Sequence, residues 1–212
     1  MSSCSTQNSR VAWFSHRSLI CLFRTMGFAP RSRRIAPDGR LATTPMAGLR
    51  ALTVDLLCEA GLPRQASEAA VAAAWYAPDP VALAHPLADL PALFGALRKQ
   101  CIKIAVATMD DRTPTEATFA RLGIEHLVDA LVCGDDGLPL KPAPDMVWAV
   151  CRATGVSPAK AVVVGDAVAD LQMGRAAGAG LVIGVLSGVS PKEILAPHAD
   201  LLLESVAELV NI

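Results

Sequence analysis

The chain has 212 residues, with 19 Lys and Arg against 20 Asp and Glu, a net charge of −1, and 52% hydrophobic residues. The near-neutral balance argues against a nucleic-acid binder, which carries a basic excess. No apolar run reaches the roughly 18–20 residues that a bilayer-spanning helix needs, so no membrane partner is expected. The length suits one substantial core with a small appended domain. The six cysteines are scattered without a CxxC pair and the four histidines stand alone. That argues against zinc and for reduced, mostly buried cysteines in an intracellular protein.

In chain order, residues 1–37 contain no Asp or Glu but carry Arg10, Arg17, Arg24, Arg31, Arg33 and Arg34. This Arg-rich, Ser-rich composition reads as an organelle transit segment, or else as a tail or an alternative start. The protein is expected in the cytoplasm, or in an organelle matrix if the segment is a transit peptide. Residues 38–86 read as helical. Pro45–Ala60 sets Leu49, Leu52, Leu56 and Leu57 on one face, and Ser67 caps a second helix over Ser67–Tyr76. Ala77–Pro86, with Pro78, Pro80 and Pro86, reads as a linker.

From residue 87 to 212 helices and short apolar runs alternate. Helices are predicted over Leu87–Gln100, Thr113–Leu122, Ala143–Thr154, Val168–Ala177, Ser190–Leu195 and Val206–Val210. Strands are predicted over Ile102–Ala107, Ala130–Cys133, Ala161–Val164, Leu181–Val185 and Leu201–Leu203. This alternation makes the fold class α/β, a Rossmann-like parallel sheet between helical layers.

Ligands of such sheets bind off the carboxyl ends of the strands. One strand end offers Thr108, followed by Asp110 and Asp111. Another offers Asp166 and, a helical turn later, Asp170. Between them a proline-stiffened loop, Gly137–Pro142, presents Lys141. A hydroxyl and an ammonium can hold phosphate oxygens, and two carboxylates can hold Mg²⁺. Asp110 and Asp111 also read as caps of the following helix, and Asp135 and Asp136 as loop residues. His85, His126 and His198 read as structural or solvated. Trp75, Tyr76 and Trp148 read as packing residues.

Together, IAVATMDDR (Ile104–Arg112), KPAPDM (Lys141–Met146) and VVVGDAVADLQMGRAAGAG (Val162–Gly180) resemble the second, third and fourth motifs of the haloacid dehalogenase-like phosphatases, especially phosphoglycolate-phosphatase-like members. The resemblance covers roughly residues 41–210. It implies that Thr108 bonds the transferring phosphoryl group and that Lys141 neutralises it. It also implies that Asp166 and Asp170 serve Mg²⁺, that a small helical cap covers the site, and that the substrate is a small phosphorylated metabolite.

The family's first motif, an apolar strand ending in DxDGT with the nucleophilic Asp, has no counterpart, since no DxD occurs in the chain. Ala36–Leu41 and Leu19–Phe23 are only partial look-alikes. Leu19–Phe23 would put Arg24 and Met26 in the two Asp positions; its Phe23, with Phe14 and Leu19, equally fits one face of a helix. The resemblance places the missing strand between those ending at Thr108 and Asp166. Its loss would impair hydrolysis and leave two strand edges facing each other, so that either those edges close on one another, or Leu19–Phe23 fills the gap, or the chain is poorly stable. The reading is therefore an impaired Mg²⁺-dependent phosphatase or, alternatively, a truncated, non-catalytic relative with a phosphate-binding, regulatory or assembly role.

Overall fold

The computed structural model of the chain describes residues 22–36, 39–76 and 79–211. Most of the basic segment 1–37, including Leu19–Cys21, lies outside these residues, as do Pro37 and Asp38 of the other look-alike. The chain divides into two compact units. One holds the described residues up to Ala42 together with Ala47–Trp75, and the other holds Thr43–Met46 and the chain from Tyr76 onward.

In the first unit, residues 22–26 are helical, so Leu22 and Phe23 are not part of a strand. The Phe23 ring packs edge-to-face on Phe28, 5.4 Å between centroids. Phe28 belongs to β1 (Phe28–Ala29), which pairs antiparallel with β2 (Arg34–Ile35), a hairpin the sequence reading missed. Helices α1 (Met46–Glu59) and α2 (Arg64–Ala74) follow. Val54 and Leu57 of α1 pack on Val71 of α2, with Trp75 and Cys58 at the margin. Ser67 is not the cap of α2. It lies inside the helix, fully buried, and its hydroxyl donates back to Pro63 O at 3.2 Å.

The second unit contains α3 (Leu90–Lys99), β3 (Ala105–Ala107), α4 (Arg112–Leu122), β4 (Ala130–Val132), α5 (Asp145–Thr154), β5 (Val162–Gly165), α6 (Val168–Ala177), β6 (Leu181–Val185) and β7 (Leu201–Leu203). Its helix ends follow the sequence chemistry. Asp89 caps α3 by accepting from Ala92 N at 3.0 Å. Gly123, Gly155 and Gly178 end α4, α5 and α6 with φ between 69° and 76°, where a side chain would be strained. The linker read at Ala77–Pro86 contains a helical turn, Pro80–Leu83, capped by Asp79.

The strands form two parallel half-sheets, β3–β4 and β5–β6–β7. Helices α5 and α6 cover one face, where Met146, Val147, Cys151 and Met173 form a core with Val132, flanked by Ala107 and Val163. On the other face Ile183, Val185 and Leu203 meet Val206 and Leu209 of the closing 3₁₀ turn. This is the layered α/β fold expected. Among the described residues no strand lies between β3 and β5, whose edges line one cleft of about 450 Å³.

On its β3 side β5 has no strand neighbour among the described residues, and its burial is low. The sequence Val162-Val163-Val164 reads as a buried strand, yet Val162 is 53% exposed and Val163 and Val164 are only half-buried. By contrast, four of the five residues of β6, which has a neighbour on each side, are buried.

Candidate functional site

The candidate residues lie at the carboxyl ends of β3 and β5, beside the cleft. Lys141 reaches them from the loop between β4 and α5, through a cis Lys141–Pro142 peptide. Its ammonium donates to Ala107 O at 2.8 Å and to Asp170 Oδ1 at 2.7 Å. Both side chains of the Lys141–Asp170 pair are only 12% exposed. A buried pair with such geometry would leave a costly lone charge if either partner were removed.

Asp170 sits in the first turn of α6, where the helix dipole favours an anion. Its Oδ2 accepts from Ala167 N at 3.1 Å, so both carboxylate oxygens are engaged. Gly165 permits this, because a Cβ there would collide with the Asp170 side chain.

Asp166 and Thr108 are turned to their own neighbours. Asp166 Oδ2 accepts from Val189 N at 2.8 Å. The adjoining Gly188 has no room for a Cβ against that carboxylate. The Thr108 hydroxyl donates to Asp110 Oδ2 at 3.0 Å and accepts from Asp110 N at 3.1 Å. Asp110 is thus a partner of Thr108. Asp111 holds the N-cap position of α4 without a side-chain cap bond. The structure joins Lys141 and Asp170 directly, and sets Thr108 and Asp166 on either side without a bond to the pair.

These residues do not by themselves suit Mg²⁺. That ion needs ligands around an octahedron, with free carboxylate oxygens and room for water. Here Asp170 is held by an ammonium and a helix N–H, and one Asp166 oxygen by a backbone N–H. Among the described residues no three His, Cys, Asp or Glu side chains are grouped so as to hold a metal ion.

Sequence reading missed the ties that brace the site. Arg112 bonds Asp136 through two nitrogens, at 2.6 and 3.0 Å, while its backbone N–H donates to Asp135. The bonds from Asp136 and Glu116 raise the Arg112 pKa further above its usual value. The same contact, led by the Arg112 hydrogen bond, holds the Asp136 carboxyl below its ordinary range. An Asp pair 23 and 24 residues after an arginine carries no local periodicity that would reveal this contact. Of the other marked residues, Trp148 donates to Ala177 O at 3.2 Å, whereas Tyr76 is largely exposed. Cys133 and Cys151 are buried as expected, but Cys101 is exposed.

The chain belongs to the haloacid dehalogenase-like hydrolases, whose family model matches residues 38–178. It is 34% identical over 110 residues to the phosphoglycolate phosphatase of Rhodospirillum rubrum, covering 52% of this chain and 46% of that one. It is 31% identical over 124 residues to the human N-acylneuraminate-9-phosphatase, covering 57% and 49%. The fold is similar to the crystal structure of a predicted phosphoglycolate phosphatase from Haemophilus somnus 129PT. That match has a TM-score of 0.64 at 18% identity and covers 92% of this chain and 88% of the other. The matched stretches span about half the length of the first curated relatives. None of the described helices is long and apolar enough to cross a membrane.

Proposed function

We propose that this chain binds the phosphate of a small phosphorylated metabolite of the phosphoglycolate kind and hydrolyses it poorly or not at all. The observation that carries this reading is the Lys141 ammonium, nearly buried and fixed on Ala107 O and Asp170 at the carboxyl end of the cleft. A cation held there can receive an anion without reorganising. The Thr108 hydroxyl, released from Asp110, adds a second donor to the phosphate oxygens. Among the described residues at the site, neither Asp166 nor Asp170 is a free nucleophile. Asp166 and Asp170 are committed to local bonds, and no DxD sequence supplies the carboxylate that forms an aspartyl-phosphate in the family resembled. The fully competent Mg²⁺-dependent phosphatase is the second reading, favoured by the relatives' names alone.

Calorimetry of the full chain with inorganic phosphate tests the proposal. Saturable binding is expected, weakened about tenfold or more in Lys141→Met, equivalent to about 1.4 kcal/mol. Binding unchanged in a folded Lys141→Met protein would overturn it. Mg²⁺ alone is expected to give no saturable heat. A 1:1 isotherm abolished by Asp166→Ala would show that these carboxylates do form a metal site.

A further inference from the structure

Thr108 and Lys141 are carried by different loops. Thr108 opens the loop from β3 to α4, and Lys141 lies in the loop from β4 to α5. The position of one donor relative to the other is therefore set by whatever ties the two loops together.

Most of those ties converge on Arg112, the first residue of α4. Its backbone N–H donates to Asp135 Oδ1 at 2.9 Å. Its Nε and Nη2 donate to the two oxygens of Asp136 at 3.0 and 2.6 Å, and Nη2 also reaches Leu131 O of β4 at 3.1 Å. Its Nη1 donates to Glu116 of its own helix at 3.1 Å. Each side-chain nitrogen is thus already engaged, so Arg112 is not placed as a direct anion ligand. Asp136 is held from its other side as well, because its Oδ2 accepts from Cys133 N at 2.8 Å.

The same two loops touch again nearer Thr108. Gly134 N donates to Asp110 O at 2.9 Å, and Gly134 has no room for a Cβ against Met109 O. Asp110 is also the residue that holds the Thr108 hydroxyl by two bonds. A chain of contacts therefore runs from Asp136, in the loop of Lys141, through Arg112 and Asp110 to Thr108. A planar guanidinium on a carboxylate fixes orientation as well as distance, which an ammonium does not. The pair is partly exposed, with side chains 37% and 22% accessible, so its worth to stability alone is small.

We infer that Arg112 and Asp136 are positioning residues of the phosphate site. Their fork holds the two loops in the one alignment where the Thr108 hydroxyl and the Lys141 ammonium meet the same anion. The inference deepens the phosphate binding proposed above and rests on it. Arg112 acts through Thr108 and does not touch the anion.

The experiment is calorimetry of the full chain and its variants with inorganic phosphate. Arg112→Lys keeps the charge but loses the fork, and is expected to weaken binding about tenfold. Thr108→Val should weaken it by a similar factor, and the double variant should be weaker than either single one by no more than about twofold, since both remove the same contact. Asp136→Asn gives the sharper sign. It removes a negative charge from the loop of Lys141, so charge alone would tighten binding of an anion, whereas lost alignment weakens it. Arg175→Lys, the same exchange at the Arg175–Asp200 pair, should leave binding unchanged. Near-ultraviolet circular dichroism is expected to remain native in all of them; should Arg112→Lys not fold, Asp136→Asn carries the test. Binding by Asp136→Asn as tight as the wild type or tighter would overturn the inference. So would unchanged binding in Arg112→Lys or in Thr108→Val, or losses that multiply in the double variant. Absence of phosphate binding by the wild-type chain would instead remove the proposed function, and this inference with it.

Discussion

Asp129 and Asp200 do the same work in the two half-sheets. Each immediately precedes a strand, and each exchanges two bonds with one residue in, or just before, the neighbouring strand. Asp129 N donates to Ile104 O at 2.7 Å and its Oδ2 accepts from Ile104 N at 2.8 Å. Asp200 N donates to Val182 O at 2.8 Å and its Oδ2 accepts from Val182 N at 2.8 Å. Cations then close on each carboxylate, Arg98 and Lys103 on Asp129 and Arg175 on Asp200. The Asp129 carboxyl is held below its usual pKa, chiefly by the Ile104 N–H, and the Asp200 carboxyl chiefly by the Arg175 hydrogen bond. A lowered folded-state pKa gives stability that is fully present above the unfolded value, about 4, and is lost as pH falls through the folded value. Urea unfolding is therefore expected to show stability falling below about pH 4. Asp129→Ala should cost about 1–2 kcal/mol at pH 7 by leaving the Ile104 N–H unpaired, and should flatten that acid limb. An unchanged acid limb in Asp129→Ala would refute this account of Asp129. Ser190 works in the opposite direction, because its buried hydroxyl has no hydrogen-bond partner among the described residues. Ser190→Ala is expected to hold or raise the melting temperature, and a marked loss on thermal melting would show that the hydroxyl is bonded.

At the scale of elements, the apolar pattern was a good guide to where most helices and strands of the second unit lie. Val168–Ala177, Leu181–Val185 and Leu201–Leu203 form with the bounds that the pattern predicts. Glycine stops at Gly123, Gly155 and Gly178 were equally legible, because only a residue tolerating positive φ ends those helices cheaply. At β5 the expected strand forms, one residue on at Val162–Gly165, but it is less buried than the reading had it, and the short, solvent-facing β1–β2 hairpin was missed. The reading also misplaced the start of α2, since Ser67 is buried by α1 packing and not by capping. Two substitutions separate the edges of β3. The Val106 N–H faces β4, as does that of Thr108, which donates to Val132 O, and the Ala105 N–H faces away. Ala105→Pro is expected to change stability by no more than about 0.5 kcal/mol, while Val106→Pro, which breaks the β4 ladder, should cost about 2 kcal/mol or more. Equal effects in chemical denaturation would contradict the facing assigned to those amides. In the core, Leu171 is fully buried, so Leu171→Ala should cost about 2–5 kcal/mol in the same assay.

For the whole molecule, three motifs in order were enough to indicate the family, and the family match over residues 38–178 bears that out. The site was legible only as residue types at strand ends. Which bonds those side chains make was not, because Lys141 and Asp170 are 29 residues apart and meet only through the sheet and its loops. The fold keeps a fixed cation beside the cleft, yet the carboxylates around it are already bonded, and no strand among the described residues lies between β3 and β5. On the proposed function, this chain grips a phosphate without a group to attack it. Phosphate release from phosphoglycolate by the purified full chain with Mg²⁺ tests this most directly. The predicted result is release no faster than in buffer alone. Catalytic release over many turnovers, abolished by Asp166→Ala, would contradict it.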